Sequence, residues 1–159
     1  MSEIMTHIHP VGNVEQIIEY RDGSREVIWF KNTVLQKGRE ALAACLANKV
    51  GIQFDYFINR MDFGDNGTVA GVPKIIGSDR DGLFGIVRVS KPVIASIPVG
   101  SSSQVIFTAV VGFDDGNGYP INEMALRMAN GHYYSMATFA DLNKTSNFQI
   151  TWNWSCCFI

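Results

Sequence analysis

The sequence is short of charge, of cysteine and of long apolar runs, and each shortage removes a class of function. Charged residues make up 18% of the 159, and the formal net charge is −2. A nearly neutral chain exerts no long-range pull on nucleic acid or anionic lipid, so neither is expected as a partner. No apolar stretch approaches the roughly 20 residues of a membrane-spanning helix. The opening residues, MSEIMTHIHP, lack the cationic start and apolar block of a secretory signal, which points to a protein made in the cytoplasm. The three cysteines are an odd number and form no self-contained disulfide framework. Cys45 reads as a small helix-core residue. Cys156 and Cys157 are adjacent on a strand and point to opposite faces, so both read as packing residues, with an intermolecular disulfide as the alternative.

Signatures of catalysis are missing as well. There is no Gly-x-Ser-x-Gly elbow, no GxxxxGK[ST] phosphate loop and no GxGxxG after a strand. Cys157 has no neighbouring base, and a reactive thiol needs an electropositive setting. The basic residues are scattered and not interleaved with aromatics as in single-strand binders. The chain is therefore expected not to be an enzyme, and no catalytic residue, metal ligand or cofactor is assigned.

What the sequence does have is strand periodicity, most plainly at its end. From Asn147 to Ile159, Phe148, Ile150, Trp152, Trp154, Cys156 and Phe158 alternate with Asn147, Gln149, Thr151, Asn153, Ser155 and Cys157. That period of two is a half-buried strand with rings on one face. Its other face is polar but uncharged, so the strand belongs in the middle of a sheet or under a partner. Phe148, Ile150, Trp152, Trp154 and Phe158 are taken as core framework.

Earlier in the chain, Val14–Tyr20 and Arg25–Phe30 flank an Asp-Gly turn and read as a hairpin. Asn32 or Thr33 caps a helix to about Lys49, with Leu35, Leu42, Cys45, Leu46 and Val50 at helical spacing and Gly51 as C-cap. Gly38 weakens that helix by roughly 1 kcal/mol and so marks close packing on the sheet. Strands follow at Phe54–Phe63, within Leu83–Ile97 (Pro92 signalling an edge or bulge), at Gln104–Phe113, Ile121–Ala129 and His132–Phe139. Glycine-rich residues 64–82 form an unusually long loop, a surface excursion with a role. The last sixty residues or so read as an antiparallel meander, with Ala140–Ser146 as a link. The expected fold is mainly β: an antiparallel, jelly-roll-like β-sandwich with one helix over about residues 33–49 packed on the sheet. Residues 1–12 form an N-terminal arm, broken by Pro10, and residues 13–159 a single domain.

Three constellations invite a sharper chemistry. His7 and His9 alternate, with Glu15 and Gly23 beyond, in a loose echo of the cupin metal pattern. The spacing is wrong, however, and the third ligand would have to be His132. Asp62, Asp65 and Asn66, Asp79 and Asp81, and Asp114, Asp115 and Asn117 flank glycines as calcium ligands do. None has the twelve-residue EF-hand spacing, and ordinary turns use the same residues. Glu123 lies among apolar strand residues, either as a partner for Arg127 or as a buried acid that fixes register.

The layout resembles a group of small virion structural proteins of tailed bacteriophages. The resemblance spans about Phe30 to Phe158. It rests on Lys31, Asn32, Val34, Gly38, Leu42 and Leu46; on Met61, Phe63, Gly64, Gly67 and Thr68; on Ile121, Asn122, Glu123 and Leu126; and on Lys144, Thr151 and Trp152. It implies a non-enzymatic β-sandwich of the virion, made in the host cytoplasm, and carries no catalytic residue across. The chain lacks fibrous extensions, which favours a capsid decoration (cement) protein bound to the major capsid protein. A tail, baseplate or fibre-attachment piece is the alternative, with glycans stacking on Tyr119, Tyr133, Tyr134 and the tryptophans. Self-association as a homo-oligomer, for instance a trimer, would cover sheet edges. The expected contacts are Met1, Ser2, Glu3, Ile4, Met5, His7, His9 and Pro10 of the arm, and Asp65, Asn66, Val69, Val72 and Pro73 of the long loop.

Overall fold

The computed structural model describes residues 10–47, 55–101 and 103–158. They form two five-stranded sheets packed face to face, each strand antiparallel to its neighbours, with one helix among the described residues. The first sheet is ordered β2 (Arg25–Lys31), β1 (Pro10–Tyr20), β12 (Phe148–Phe158), β9 (Gln104–Val111) and β8 (Ile94–Ser96). The second is ordered β3 (Thr33–Val34), β11 (Tyr133–Asn143), β10 (Pro120–Met128), β4 (Ile58–Gly64) and β7 (Val89–Pro92). A small ribbon, β5 (Thr68–Val69) with β6 (Val72–Pro73), stands apart. This is the β-sandwich with one helix expected from the sequence.

The closing strand lies centrally, as its uncharged face required. β12 pairs along its whole length with β1 and over eight residues with β9. Phe148, Ile150, Trp152, Trp154 and Cys156 alternate into the buried layer. The Trp152 ring sits 5.2 Å from Phe63, 5.3 Å from Phe139 and 6.2 Å from Phe30, and so joins both sheets. A buried indole removes about 200 Å² from water, roughly 5 kcal/mol of gross transfer free energy. Phe158 is only half-buried, at the end of the framework row.

The β1–β2 hairpin closes as the Asp-Gly pair predicts. Tyr20 C=O accepts from Gly23 N–H at 3.0 Å, and Tyr20 N–H donates to Ser24 C=O at 2.9 Å. Gly23, at φ 88°, takes the left-handed position that ends the turn.

Several expectations are corrected. Pro10, Val11 and Gly12 are not arm: they begin β1, paired with Phe158, Cys157 and Cys156. The helix, α1, runs Gln36–Leu46, because Thr33 and Val34 first pair with β11 and the buried Leu35 is the N-terminal boundary residue. Cys45 and Leu46 are exposed, and the helix buries its small residues Gly38 and Ala41 instead. Gly38 does pack closely: a Cβ there would collide with the Tyr134 carbonyl and ring. Val50, Gly51 and Phe54 lie outside the described residues. The strand expected from Phe54 starts at Ile58. β11 continues to Asn143 and absorbs most of the expected link. The last third is not a meander. β9 and β12 lie in one sheet and β10 and β11 in the other, so the chain crosses between layers twice. Pro92 ends the edge strand β7, consistent with its missing donor.

Candidate interaction surfaces

The long loop is less of an excursion than its composition suggests, and what holds it is the Ile121-Asn122-Glu123 segment. β10 is buried on both faces, with Met124, Leu126 and Met128 in the layer between the sheets. Ala125 lies in a second cluster with Leu35, Leu83, Tyr133 and Met136, and Ile76 and Phe84 of the long connection pack against it. Between Ile121 and Glu123 the register of β10 against β11 slips, and both Asn122 and Glu123 grip the connection. Glu123 is wholly inaccessible. Its Oε1 accepts the backbone N–H groups of Asn66 at 3.1 Å and Gly85 at 3.0 Å, and its Oε2 accepts Phe84 N–H at 2.6 Å. Three convergent N–H dipoles compensate the buried charge. Asn122 Oδ1 accepts Gly67 N–H at 2.6 Å, while its Nδ2 donates to Thr68 Oγ1 and Asp141 Oδ1 at 3.1 and 2.9 Å. Thr68 Oγ1 in turn donates to Asp141 Oδ1 at 2.8 Å, and the hydrogen bonds from Asn122 first and Thr68 second hold the Asp141 carboxyl below its ordinary range.

The glycines of the loop follow from this clamp. A Cβ on Gly64 would lie 2.5 Å from Glu123 Oε1, and one on Gly67 would strike the Asn122 carbonyl. Gly64, Gly67, Thr68, Asn122 and Glu123 thus make one structural device. Glu123 is the buried acid of the two readings, and the pairing with Arg127 is corrected. Arg127 Nη1 lies 3.4 Å from Asp62 Oδ2, which also accepts from Tyr133 Oη at 2.8 Å. Asp62 Oδ1 accepts from Ser90 Oγ.

Asp65 and Asn66, expected to face a partner, work within the chain. Asp65 pairs with Arg88 at 2.9 Å, and Asn66 Nδ2 donates to the Phe84 carbonyl at 3.2 Å. Val69, Val72 and Pro73 are exposed on the β5–β6 ribbon. Its apex, Ala70-Gly71, has φ of 50° and 76°, and the alanine there is strained. The ribbon is fixed from below: Lys74 Nζ reaches the Asn66 carbonyl at 2.6 Å, and Thr138 Oγ1 donates to the Lys74 carbonyl at 2.8 Å. A rigid base therefore presents an apolar tip. Of the expected arm, Pro10 is strand; Met1, Ser2, Glu3, Ile4, Met5, His7 and His9 lie outside the described residues.

The other tempting groups act as tethers. Asp81 accepts Tyr133 N–H at 3.0 Å and contacts His132 Nδ1 at 2.5 Å. Asp115 pairs with Lys91 at 2.5 Å and accepts Gly112 N–H at 2.8 Å. Burial alone would raise its pKa; those hydrogen bonds and the Lys91 charge bring it below the ordinary value. The buried Lys144 Nζ donates to the carbonyls of Thr145 and Phe113 and to Asn117 Oδ1, at 2.8, 3.3 and 3.0 Å, and burial lowers its pKa. No group of three or more potential metal-ligating side chains occurs among the described residues. Trp152, Trp154, Tyr133 and Tyr134 are buried, which withdraws them from sugar stacking; Tyr119 is covered on one face by Arg88, 4.5 Å from its ring centre.

Two further features were not singled out by sequence reasoning. One is an apolar cavity of about 390 Å³ between α1 and the ends of β4, β8, β9 and β12, lined by Leu42, Phe57, Ile58, Phe107 and Phe158 among others. Burial pushes the Cys156 thiol on its wall up to about 12 and also raises the Tyr134 hydroxyl above its ordinary value. The other is β2, at a sheet edge with Val27, Ile28 and Trp29 exposed. An apolar run in a half-exposed strand was the available signal for β2; its place at the edge was not written in the pattern. No protein-family model, curated protein or solved structure matches the chain.

Proposed function

We propose that this protein is a non-enzymatic structural component of a bacteriophage particle, a capsid decoration protein that binds neighbouring capsid subunits by surface complementarity. The observation that supports the reading is the convergence of the Gly64-to-Thr68 and Asn122-Glu123 segments. Gly64, Gly67, Thr68, Asn122 and Glu123 converge on a clamp whose product is an immobilised ribbon with Val69 and Val72 exposed at its tip. The carboxylates and amides around it are engaged in holding loops, and apolar side chains face outward. A pre-ordered apolar tip loses little conformational entropy on docking, which suits adhesion to a repeating surface.

The test is particle occupancy. Particles assembled with V69D/V72D chains should carry markedly less of the protein than wild-type particles, while the isolated variant keeps its melting temperature. Unchanged occupancy removes the ribbon from the contact. Cryo-EM of complete particles locates the chain: density on the capsid lattice is expected, and density confined to the tail overturns decoration in favour of an adaptor role. Deleting Met1–His9 tests the arm in the same assay.

A further inference from the structure

We infer that β2 is the self-association edge of this protein, where a second copy pairs its own β2 antiparallel about a two-fold axis and joins the two five-stranded sheets. The inference assigns a surface to the self-association in the proposed function, and rests on that reading in this respect.

The backbone sets the geometry. The Tyr20 N–H to Ser24 C=O bond makes Tyr20 and Ser24 a narrow pair of the β1–β2 ladder. Seven further pairs follow from Glu19 opposite Arg25 to Asn13 opposite Lys31, without a slip. Narrow and wide pairs alternate, so Glu26, Ile28 and Phe30 spend their peptide groups on β1. The N–H and C=O groups of Arg25, Val27, Trp29 and Lys31 therefore point away from β1, to the side where no strand pairs with β2 among the described residues. The middle of this edge has none of the usual protections, neither a proline nor a bulge. It is apolar instead: Val27, Ile28 and Trp29 are 45%, 47% and 61% exposed. Charge stands only at its ends, on Arg25, Glu26 and Lys31.

Charge also chooses the register. A two-fold axis normal to the sheet sets same-face residues opposite each other. With Ile28 on the axis, Arg25 faces Lys31 of the second copy twice, a like-charge pair directly opposed. With Val27 on the axis, Glu26 faces Ile28 on the inner side. With Trp29 on the axis, Trp29 meets Trp29, Ile28 meets Phe30 and Val27 meets the Lys31 stem, and no like charges oppose. The three narrow pairs of that register supply up to about six backbone hydrogen bonds. A seven-residue edge is about 23 Å long, so the covered area falls below that of a standard stable interface. The dimer is accordingly weak in solution and favoured where copies are concentrated on a surface.

Sedimentation velocity of the full chain over a rising concentration series reads the dimer directly. The expected result is a reversible monomer–dimer equilibrium. Val27→Pro removes only an N–H that β1 does not use, and should weaken association at least about tenfold with the near-UV spectrum unchanged. Trp29→Lys, which sets two charges together on the axis, should do the same and serves if the proline variant folds poorly. In a Cys45→Ser/Cys157→Ser background, Trp29→Cys should oxidise to a covalent dimer, since narrow-pair Cα atoms lie about 5.5 Å apart, within disulfide reach. Ile28→Cys should not. A wild-type chain that stays monomeric at the highest concentration, or cross-linking at 28 rather than 29, overturns the inference. Particle binding by a strictly monomeric chain retires this interface alone; an intact dimer that ignores particles retires the proposed function alone.

Discussion

Replacing Glu123 with glutamine changes one atom of a buried side chain and should cost the fold dearly. The carboxylate accepts three backbone N–H groups, two on Oε1 and one on Oε2. The amide can keep its oxygen towards Asn66 and Gly85, but it then turns an NH₂ group on the Phe84 N–H, donor against donor. Losing that charge-assisted bond costs about 1.5–3 kcal/mol, and the remaining two weaken from charged to neutral by about 0.5–1 kcal/mol each. The sum is about 2.5–5 kcal/mol. For a chain of this size each kcal/mol moves the melting temperature by roughly 2–4 °C, so a fall of about 10 °C is expected. Thermal and urea unfolding measure the total, and native-state hydrogen exchange assigns it: the amides of Asn66, Phe84 and Gly85 should lose protection together. Because Arg127 belongs to Asp62 and not to Glu123, Glu123→Gln and Arg127→Ala should add within about 0.5 kcal/mol. A melting temperature within about 2 °C of wild type, with Phe84 still protected, would refute the clamp.

Gly64→Ala places a methyl group 2.5 Å from Oε1 of a Glu123 carboxylate that three hydrogen bonds hold in place; it should destabilise by about 1–3 kcal/mol in urea unfolding. Stability should fall as pH rises beyond about 10. Cys156, Tyr133 and Tyr134 are acids whose pKa values burial raises, so their contribution is complete below the ordinary values of 9.0 and 10.0 and is lost as pH climbs through the raised ones. Lys144, lowered by burial, opposes this only between its lowered value and 10.5; urea midpoints across that range, with the tyrosinate absorbance of Tyr133 and Tyr134 appearing only on unfolding, check the balance. Iodide should quench a single class of tryptophan emission, that of Trp29, and Trp29→Phe should abolish quenching because Trp152 and Trp154 are wholly buried.

The sequence by itself determined the local elements whose signal is a period or a turn. Alternation from Phe148 to Phe158 dictated a strand with its indoles inward, since one face of a pleat must leave water. Asp22-Gly23 dictated a hairpin, because glycine takes the positive φ that closes it. An uncharged outer face put that last strand at the centre of its sheet. The start of the helix was misjudged because Asn32 and Thr33 have good capping chemistry, yet Thr33 gains more as a pairing residue of β3.

Tertiary structure alone decided which layer each strand joined, because β9, β10, β11 and β12 alternate alike and the pattern is blind to sheet membership. It decided that residues 64–88 fold back over the second sheet, since the hydrogen bonds that hold them, from Glu123 and Asn122, bridge some 40 to 60 positions of sequence. It also decided that β2 would be an edge. Periodicity reports which side of a strand is apolar; only the assembled sheet determines where its peptide groups are left without a neighbour.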